Sequence, residues 1–155
     1  MIAIGSDHGG FGLKEEIKKY FEKEQIKYKD FGTFCEDPTD YSDIAAEVSK
    51  AVAEGGFGKG IIICGTGIGV SIAANKIPGI RAALCTDPYM ARMAREHNDA
   101  NILTLGGRVV GIGLALDIVQ AFIDSPFSNE KRHENRINKI KAIEDNYIKN
   151  NFTEC

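Results

Sequence analysis

No apolar run in this 155-residue chain approaches the length needed to cross a bilayer, and Met1-Ile2-Ala3-Ile4-Gly5 enters a strand-like run with no basic leader before it. A cytoplasmic protein without a membrane partner is expected. The four cysteines, Cys35, Cys64, Cys85 and Cys155, show no CxxC pair and no zinc-type spacing. Neither a disulfide framework nor a structural metal is expected, and a reducing compartment keeps them as thiols. A basic stripe with interleaved aromatics is also missing: the net charge is −3, and the basic residues are scattered over the first and last helical stretches. Nucleic acid is therefore not an expected partner. No repeat, linker or low-complexity segment divides the chain, and 43% hydrophobic with 26% charged residues suit one globular domain over residues 1–155.

What is present is an alternation of short apolar runs with longer amphipathic ones. Ile2 to Gly5 reads as a strand, and a helical pattern follows from about Phe11 to Glu24 with Leu13, Ile17, Tyr20 and Phe21. A second strand is expected around Tyr28 to Phe31 and a helix from Asp43 to Ala53. Gly60-Ile61-Ile62-Ile63-Cys64 is a continuous apolar run, the pattern of a central strand buried on both faces of a parallel sheet. Val70 to Asn75 has helical character until Lys76-Ile77-Pro78-Gly79 breaks it. Arg81 to Cys85 reads as the fourth strand, with Asp87-Pro88 fitting an N-cap and first-turn proline for a helix to about His97. Ile102 to Leu105 is the fifth strand and Gly111 to Ile123 a helix. Residues 129–150 form a long polar helix whose narrow stripe of Ile137, Ile140, Ile143 and Tyr147 suits a partner subunit as readily as its own domain. The fold class is α/β: five parallel strands with helices on both faces and a ligand site beyond the carboxyl ends of the strands.

Chemistry-bearing residues collect at those strand ends. Ser6-Asp7-His8-Gly9-Gly10 follows the first strand, Cys64-Gly65-Thr66-Gly67-Ile68-Gly69 the third, and Gly106-Gly107-Arg108 the fifth. The glycine-rich turn is either an anion site built from free N–H groups or a tight turn that packs strand on helix; it is neither GxGxxG nor a Walker sequence. Cys64 stands where the start of the following helix can stabilise a thiolate, against the ordinary reading of a small buried hydrophobe, which is the one expected for Cys85 and Cys35. Cys155 is expected to be inert. Asp7 and His8 can exchange protons with hydroxyls, or serve only as a cap and a surface residue. His97-Asn98 reads equally as a helix C-cap, and Arg132 and Arg136, four apart on a helix, as a phosphate clamp or a solvated face.

Together, Asp7-His8-Gly9-Gly10, the Cys64 to Gly69 turn, His97-Asn98-Asp99-Ala100-Asn101, Gly106-Gly107-Arg108, and Arg132 with Arg136 resemble the type B ribose-5-phosphate isomerases in order and spacing over nearly the whole chain. The resemblance implies a three-layer α/β/α sandwich with a Rossmann-like sheet, no metal and no organic cofactor. It implies a homodimer or dimer of dimers with active sites at the subunit interface, one subunit supplying Asp7, His8, Cys64 to Gly69, Arg132 and Arg136, the other His97, Asn98 and Arg108. In that likeness Cys64 is the base for the carbon proton, Gly65, Gly67, Ile68 and Gly69 offer N–H groups to the oxyanion, and Asp7 moves hydroxyl protons. His97 with Thr66 opens the sugar ring. His8, Arg108, Arg132 and Arg136 hold the phosphate, Asn98 a sugar hydroxyl, and Tyr41 and Asp43 border the pocket. Another branch of the family uses as base a glutamate directly after the last glycine; Val70 here cannot take a proton, which leaves Cys64. The alternatives are isomerases of allose 6-phosphate or galactose 6-phosphate, a non-catalytic phospho-ligand module, and an interaction protein built on the last helix.

Overall fold

The computed structural model describes the backbone of residues 1–152 and the side chains of residues 1–148. Its elements run β1 (Ile2–Ser6), α1 (Phe11–Lys23), β2 (Tyr28–Asp30), α2 (Tyr41–Ala53), β3 (Lys59–Cys64), α3 (Ile68–Ala74), β4 (Ala82–Leu84), α4 (Pro88–Asn98), β5 (Ile102–Gly106), α5 (Ile112–Asp124) and α6 (Lys131–Phe152). All strand pairs are parallel, in the order β2-β1-β3-β5-β4. The three central strands are buried on both faces, as their unbroken apolar runs require. The two edge strands are short and only partly buried.

The helices divide into two layers. Ile4, Ile61, Ile63, Leu103 and Leu105 pack with Ile17 and Phe21 of α1, Ala91 of α4 and Phe122 of α5. Ala3, Ile62 and Ile102 face Val48 of α2 and Val70 of α3. Each isoleucine or phenylalanine taken fully from water contributes about 1.5–3 kcal/mol. The Asp87 side chain accepts the Met90 N–H at 2.9 Å with Pro88 in the first turn, so α4 starts where its sequence predicts. α2 begins at Tyr41, two residues before the expected Asp43, because Asp40 already takes an extended N-cap conformation.

The chain moves from β1 outward to β2, then returns to place β3 on the other side of β1. The carboxyl ends of β1 and β3 therefore flank the switch point at which open parallel sheets bind ligands. Beyond the sandwich, α6 packs on α4 near its start, and farther along Glu144 accepts the Gly79 N–H at 2.9 Å. A groove of about 650 Å³ remains between Ile140 and Ile143 of α6 and the segment from Asn75 to Ala83.

One charge is built into the core. Lys14 is fully buried on the face of α1 that also buries Leu13, Ile17 and Phe21. Its Nζ donates to Asp30 at 2.8 and 3.0 Å and to the Thr33 carbonyl at 2.5 Å, while Lys18 reaches the second Asp30 oxygen at 2.8 Å. Burial pushes the Asp30 carboxyl up, but the hydrogen bonds from Lys14, Lys18 and the Gly32 N–H outweigh it and hold the group below its ordinary range. Stability from this depressed carboxyl is present above its unfolded-state pKa and lost as pH falls toward the folded-state value. Lys14→Met should cost about 3–5 kcal/mol at pH 7 in urea unfolding, with a smaller loss at acid pH where Asp30 protonates. A loss under about 1 kcal/mol, the worth of an exposed pair, would show that the ammonium is not part of the core.

Candidate active site

The loop leaving β1 is tied to β3 through the Asp7 N–H, which donates to the Ile63 carbonyl at 3.1 Å. Asp7 is buried, and one carboxylate oxygen accepts the Gly10 N–H at 3.0 Å. His8 is exposed; its Nδ1 accepts the Thr39 N–H at 3.2 Å, so the neutral ring carries its proton on Nε2 as a donor. β3 ends at Cys64, 4% exposed, whose Sγ accepts the Gly67 N–H at 3.1 Å. Gly67 has φ +78°, a left-handed conformation that glycine adopts without penalty. With α3 only seven residues long, the group facing the sulfur is this single N–H rather than an extended helix dipole. Thr66 is exposed and accepts the Ile68 N–H at 3.3 Å.

Three glycine loops are locked together here. A Cβ on Gly10 would stand 2.6 Å from the Ile63 carbonyl oxygen, on Gly107 2.8 Å from that of Gly9, and on Gly106 2.7 Å from that of Thr66. The Gly107 N–H donates to the Cys64 carbonyl at 2.8 Å and the Arg108 N–H to the Gly65 carbonyl at 3.0 Å. The Arg108 side chain lies against Gly65, with Cδ and Nη1 both 3.6 Å from where a Cβ would sit. The Tyr41 ring covers Gly69 so closely that a Cβ there would meet it at 2.7 Å. One chain thus brings together Asp7, His8, the Cys64 to Gly69 turn, Arg108 and Tyr41. This set holds a carboxylate, a thiol, two nitrogen donors and a turn of backbone N–H groups. Asp43 is exposed in the first turn of α2.

His97 and Asn98 lie elsewhere. α4 runs back from the carboxyl side of β4, so its last turn is at the amino end of the sheet. Arg81, just before β4, donates from Nε to the Asn98 carbonyl at 3.0 Å and from Nη2 to Asp99 at 3.0 Å, and Arg95 holds the other Asp99 oxygen at 2.8 Å. Gly60 pairs with Ile102 at this end and Cys64 with Gly106 at the other. Four residues of strand separate the two by about 13 Å. The His97 ring lies against His133 of α6 at 4.2 Å between centroids, the two planes tilted by 40°. His133 is buried, its Nδ1 2.8 Å from Ser128 Oγ, and burial with the neighbouring His97 and Arg132 holds its pKa below the ordinary histidine value. Arg132 and Arg136 are exposed on the same stretch of helix, with Arg132 Nε donating to Glu130 at 2.8 Å.

The resemblance divides these residues between two subunits, and the single chain shows which of them it brings together by itself. Arg108 sits on Gly65 of its own chain, whereas Arg132 and Arg136 lie on the stretch of α6 whose His133 meets His97, and Thr66 has no His97 beside it within one chain. His133 was not singled out, although its spacing of four and seven residues from Ile137 and Ile140 places it on the apolar stripe of α6. Among the cysteines, Cys85 is buried as expected, its pKa pushed up to about 12 by burial and by Asp87. Cys35, expected in the core, is exposed: it lies in the polar loop after β2, where its thiol donates to Asp37 at 3.4 Å. Cys155 lies outside the described residues. Among the described residues, no cluster of three or more His, Cys, Asp or Glu side chains could hold a metal ion, and no helix is long and apolar enough to cross a membrane.

Residues 2–140 match the Ribose/Galactose Isomerase family. The chain is 48% identical to ribose-5-phosphate isomerase B of Escherichia coli over 92% of its own length and 95% of that protein's. It is 42% identical to D-erythrulose-4-phosphate isomerase of Pectobacterium atrosepticum over 81% and 84%. Its fold superposes on ribose-5-phosphate isomerase B of Clostridium thermocellum with a TM-score of 0.92 and 55% identity, covering 94% and 98% of the two chains.

The glycine lock can be tested without reference to chemistry. Gly107→Ala, where backbone rather than a flexible side chain meets the new methyl group, should cost about 1–3 kcal/mol of stability. Gly58→Ala, with nothing within 4 Å of its Cβ, should change stability by no more than about 1 kcal/mol. Equal midpoints for the two variants in urea would remove the lock as a stabilising feature.

Proposed function

The chain belongs to the ribose/galactose isomerase family, and from that premise we propose that it is an aldose–ketose isomerase interconverting ribose 5-phosphate and ribulose 5-phosphate through an enediolate. The observation that carries this reading is the Cys64 sulfur facing the Gly67 N–H, with buried Asp7 in the adjoining loop. The N–H favours negative charge on sulfur, so Cys64 as thiolate removes the proton from the carbon beside the carbonyl and returns it to the neighbouring carbon. Backbone N–H groups of Gly65 and Gly69 stabilise the developing oxyanion, those of Gly67 and Ile68 being engaged by Cys64 Sγ and Thr66 Oγ1, and Asp7 carries hydroxyl protons. No electron leaves the substrate and the proton comes back, so the chemistry requires no cofactor. His8 and Arg108 bind the phosphate, whose binding energy positions the reacting carbons, with Tyr41 bordering the pocket.

Ring opening by His97, a hydroxyl contact from Asn98 and the further cations Arg132 and Arg136 need a second copy of the chain, because one copy keeps them at the other end of the sheet. A two-fold homodimer, alone or as a dimer of dimers, supplies both sites symmetrically, each with Cys64 from one copy and His97 from the other. Exposed Ile68, Ile72, Val109 and Ile112 near the glycine turns support burial of this region in such an interface. The place of action is the cytoplasm, in pentose phosphate interconversion. Hexose 6-phosphates such as those of allose and galactose remain the alternative substrates. Similarity to an isomerase of D-erythrulose 4-phosphate adds four-carbon sugars to the set worth assaying. A non-catalytic phospho-ligand module leaves the Cys64 contact and buried Asp7 without a use.

Purified protein with excess chelator should turn over ribose 5-phosphate faster than allose 6-phosphate, galactose 6-phosphate or a four-carbon sugar phosphate. Folded Cys64→Ala should lose about 10²–10⁴ of that rate or more. No turnover of any of these sugars by folded wild type sinks the isomerase reading, and full activity in Cys64→Ala sinks the base. For the shared site, refolding inactive Cys64→Ala together with inactive His97→Ala should regain about a quarter of wild-type activity, since half of the dimers then contain one intact site. No recovery despite mixed dimers rules out a site that takes Cys64 from one copy and His97 from the other.

A further inference from the structure

The loop between β2 and α2 is fastened by contacts that the proposed chemistry does not use. Thr33 is pinned three ways: the buried Lys14 ammonium donates to its carbonyl at 2.5 Å, its N–H donates to the Ser6 carbonyl at 2.5 Å, and the preceding carbonyl of Gly32 accepts the Ser6 N–H at 2.6 Å. It is itself 9% exposed. Its Oγ1 lies 3.4 Å from the Thr39 hydroxyl, which also meets the Asp37 carbonyl at 3.0 Å, and Thr39 presents its backbone N–H to His8 Nδ1 at 3.2 Å. The ladder thus begins at a fully buried charge in the body of the domain and ends on the ring of an exposed histidine beside Asp7.

We propose that Thr33 is a positioning residue for the sugar-phosphate site: anchored by Lys14, it holds Thr39 so that the Thr39 N–H occupies His8 Nδ1, fixing the ring with Nε2–H free to donate to the phosphate. An imidazole held this way loses little orientational freedom on binding, and its tautomer is set before the anion arrives. The inference rests on the reading of His8 as a phosphate ligand. It predicts an effect mainly on binding, because the ring can still donate to the phosphate once bound and only its prior orientation is lost.

The test uses the full-chain protein with Thr33→Val, which keeps the shape and removes the hydroxyl, and Thr33→Ser, which keeps the hydroxyl. In ¹⁵N-labelled protein near neutral pH, the wild type and Thr33→Ser should show scalar coupling across the Thr39 N–H···Nδ1 bond of His8, and Thr33→Val should lose it. Thr33→Val should also raise KM for ribose 5-phosphate and Kd for inorganic phosphate by about three- to tenfold, with kcat within about twofold, while Thr33→Ser stays near wild type. Coupling retained in Thr33→Val, or phosphate affinity unchanged there, overturns the positioning role. His8→Ala separates the two levels of the argument. A folded His8→Ala variant with unchanged phosphate affinity overturns the phosphate reading of His8 and this proposal with it. Weakened affinity in His8→Ala but not in Thr33→Val overturns the positioning role alone.

Discussion

Backbone meets backbone at the switch point of the sheet, and the rest of the site depends on that contact. The loops after β1, β3 and β5 approach so closely that side chains are excluded at Gly10, Gly106 and Gly107. Buried peptide groups tolerate this only if they are paired. The Asp7 N–H on Ile63, the Gly107 N–H on Cys64 and the Arg108 N–H on Gly65 provide the pairing. The same bonds that satisfy the backbone bring Asp7, Cys64 and Arg108 into one cluster from three widely separated parts of the chain. Packing and site geometry are here one constraint, and a methyl group is enough to violate it.

The direction of the chain sets a second limit. In a parallel sheet, residues that follow a strand emerge at its carboxyl end, whereas residues that end the crossover helix arrive at the amino end. His97 and Asn98 belong to the second class, and the Arg81–Asp99–Arg95 network fixes them there. Flexibility of a loop cannot bridge the length of a strand. A composite site on this fold therefore calls for symmetry rather than motion, and the length of α6, which sets His133 against His97 and carries Arg132 and Arg136 on the same stretch, suits a helix placed to serve more than its own domain.

Much of this was legible in the sequence because it is encoded locally. Continuous apolar runs gave β1, β3 and β5, helical periodicity gave α1 and α5, and Asp87-Pro88 marked the start of α4 through a cap that needs no distant partner. The strand-end motifs were legible for the same reason, since the fold class dictates where they point. The features that escaped depend on partners far along the chain. A lysine on a helix reads as solvent-facing, yet Lys14 is buried because Asp30 and the Thr33 carbonyl meet it. Cys35 reads as a small apolar residue, yet the loop that carries it never enters the core. Arg108 and Arg132 look equivalent as cations, and only the fold decides that one lies on Gly65 and the other beside the buried His133.

Buried charge and proposed catalysis meet at opposite ends of one short stretch. Lys14 is a single helical turn beyond Gly10, whose N–H holds Asp7, and the carbonyl that Lys14 grips belongs to the loop contacting His8. A hydrophobic residue of similar volume could fill the space as well, and replacing a buried ion pair with apolar packing is often neutral or stabilising. What apolar packing cannot do is specify direction: an ammonium with three donors selects one placement of Asp30 and of Thr33, and through them one course for the loop. At Cys64 the design is reversed, because the sulfur is met by a backbone N–H from a glycine in the left-handed region rather than by a cationic side chain. That N–H is held in place by the conformation of Gly67, so the shape of the turn and the polar contact at the sulfur follow from the same residue.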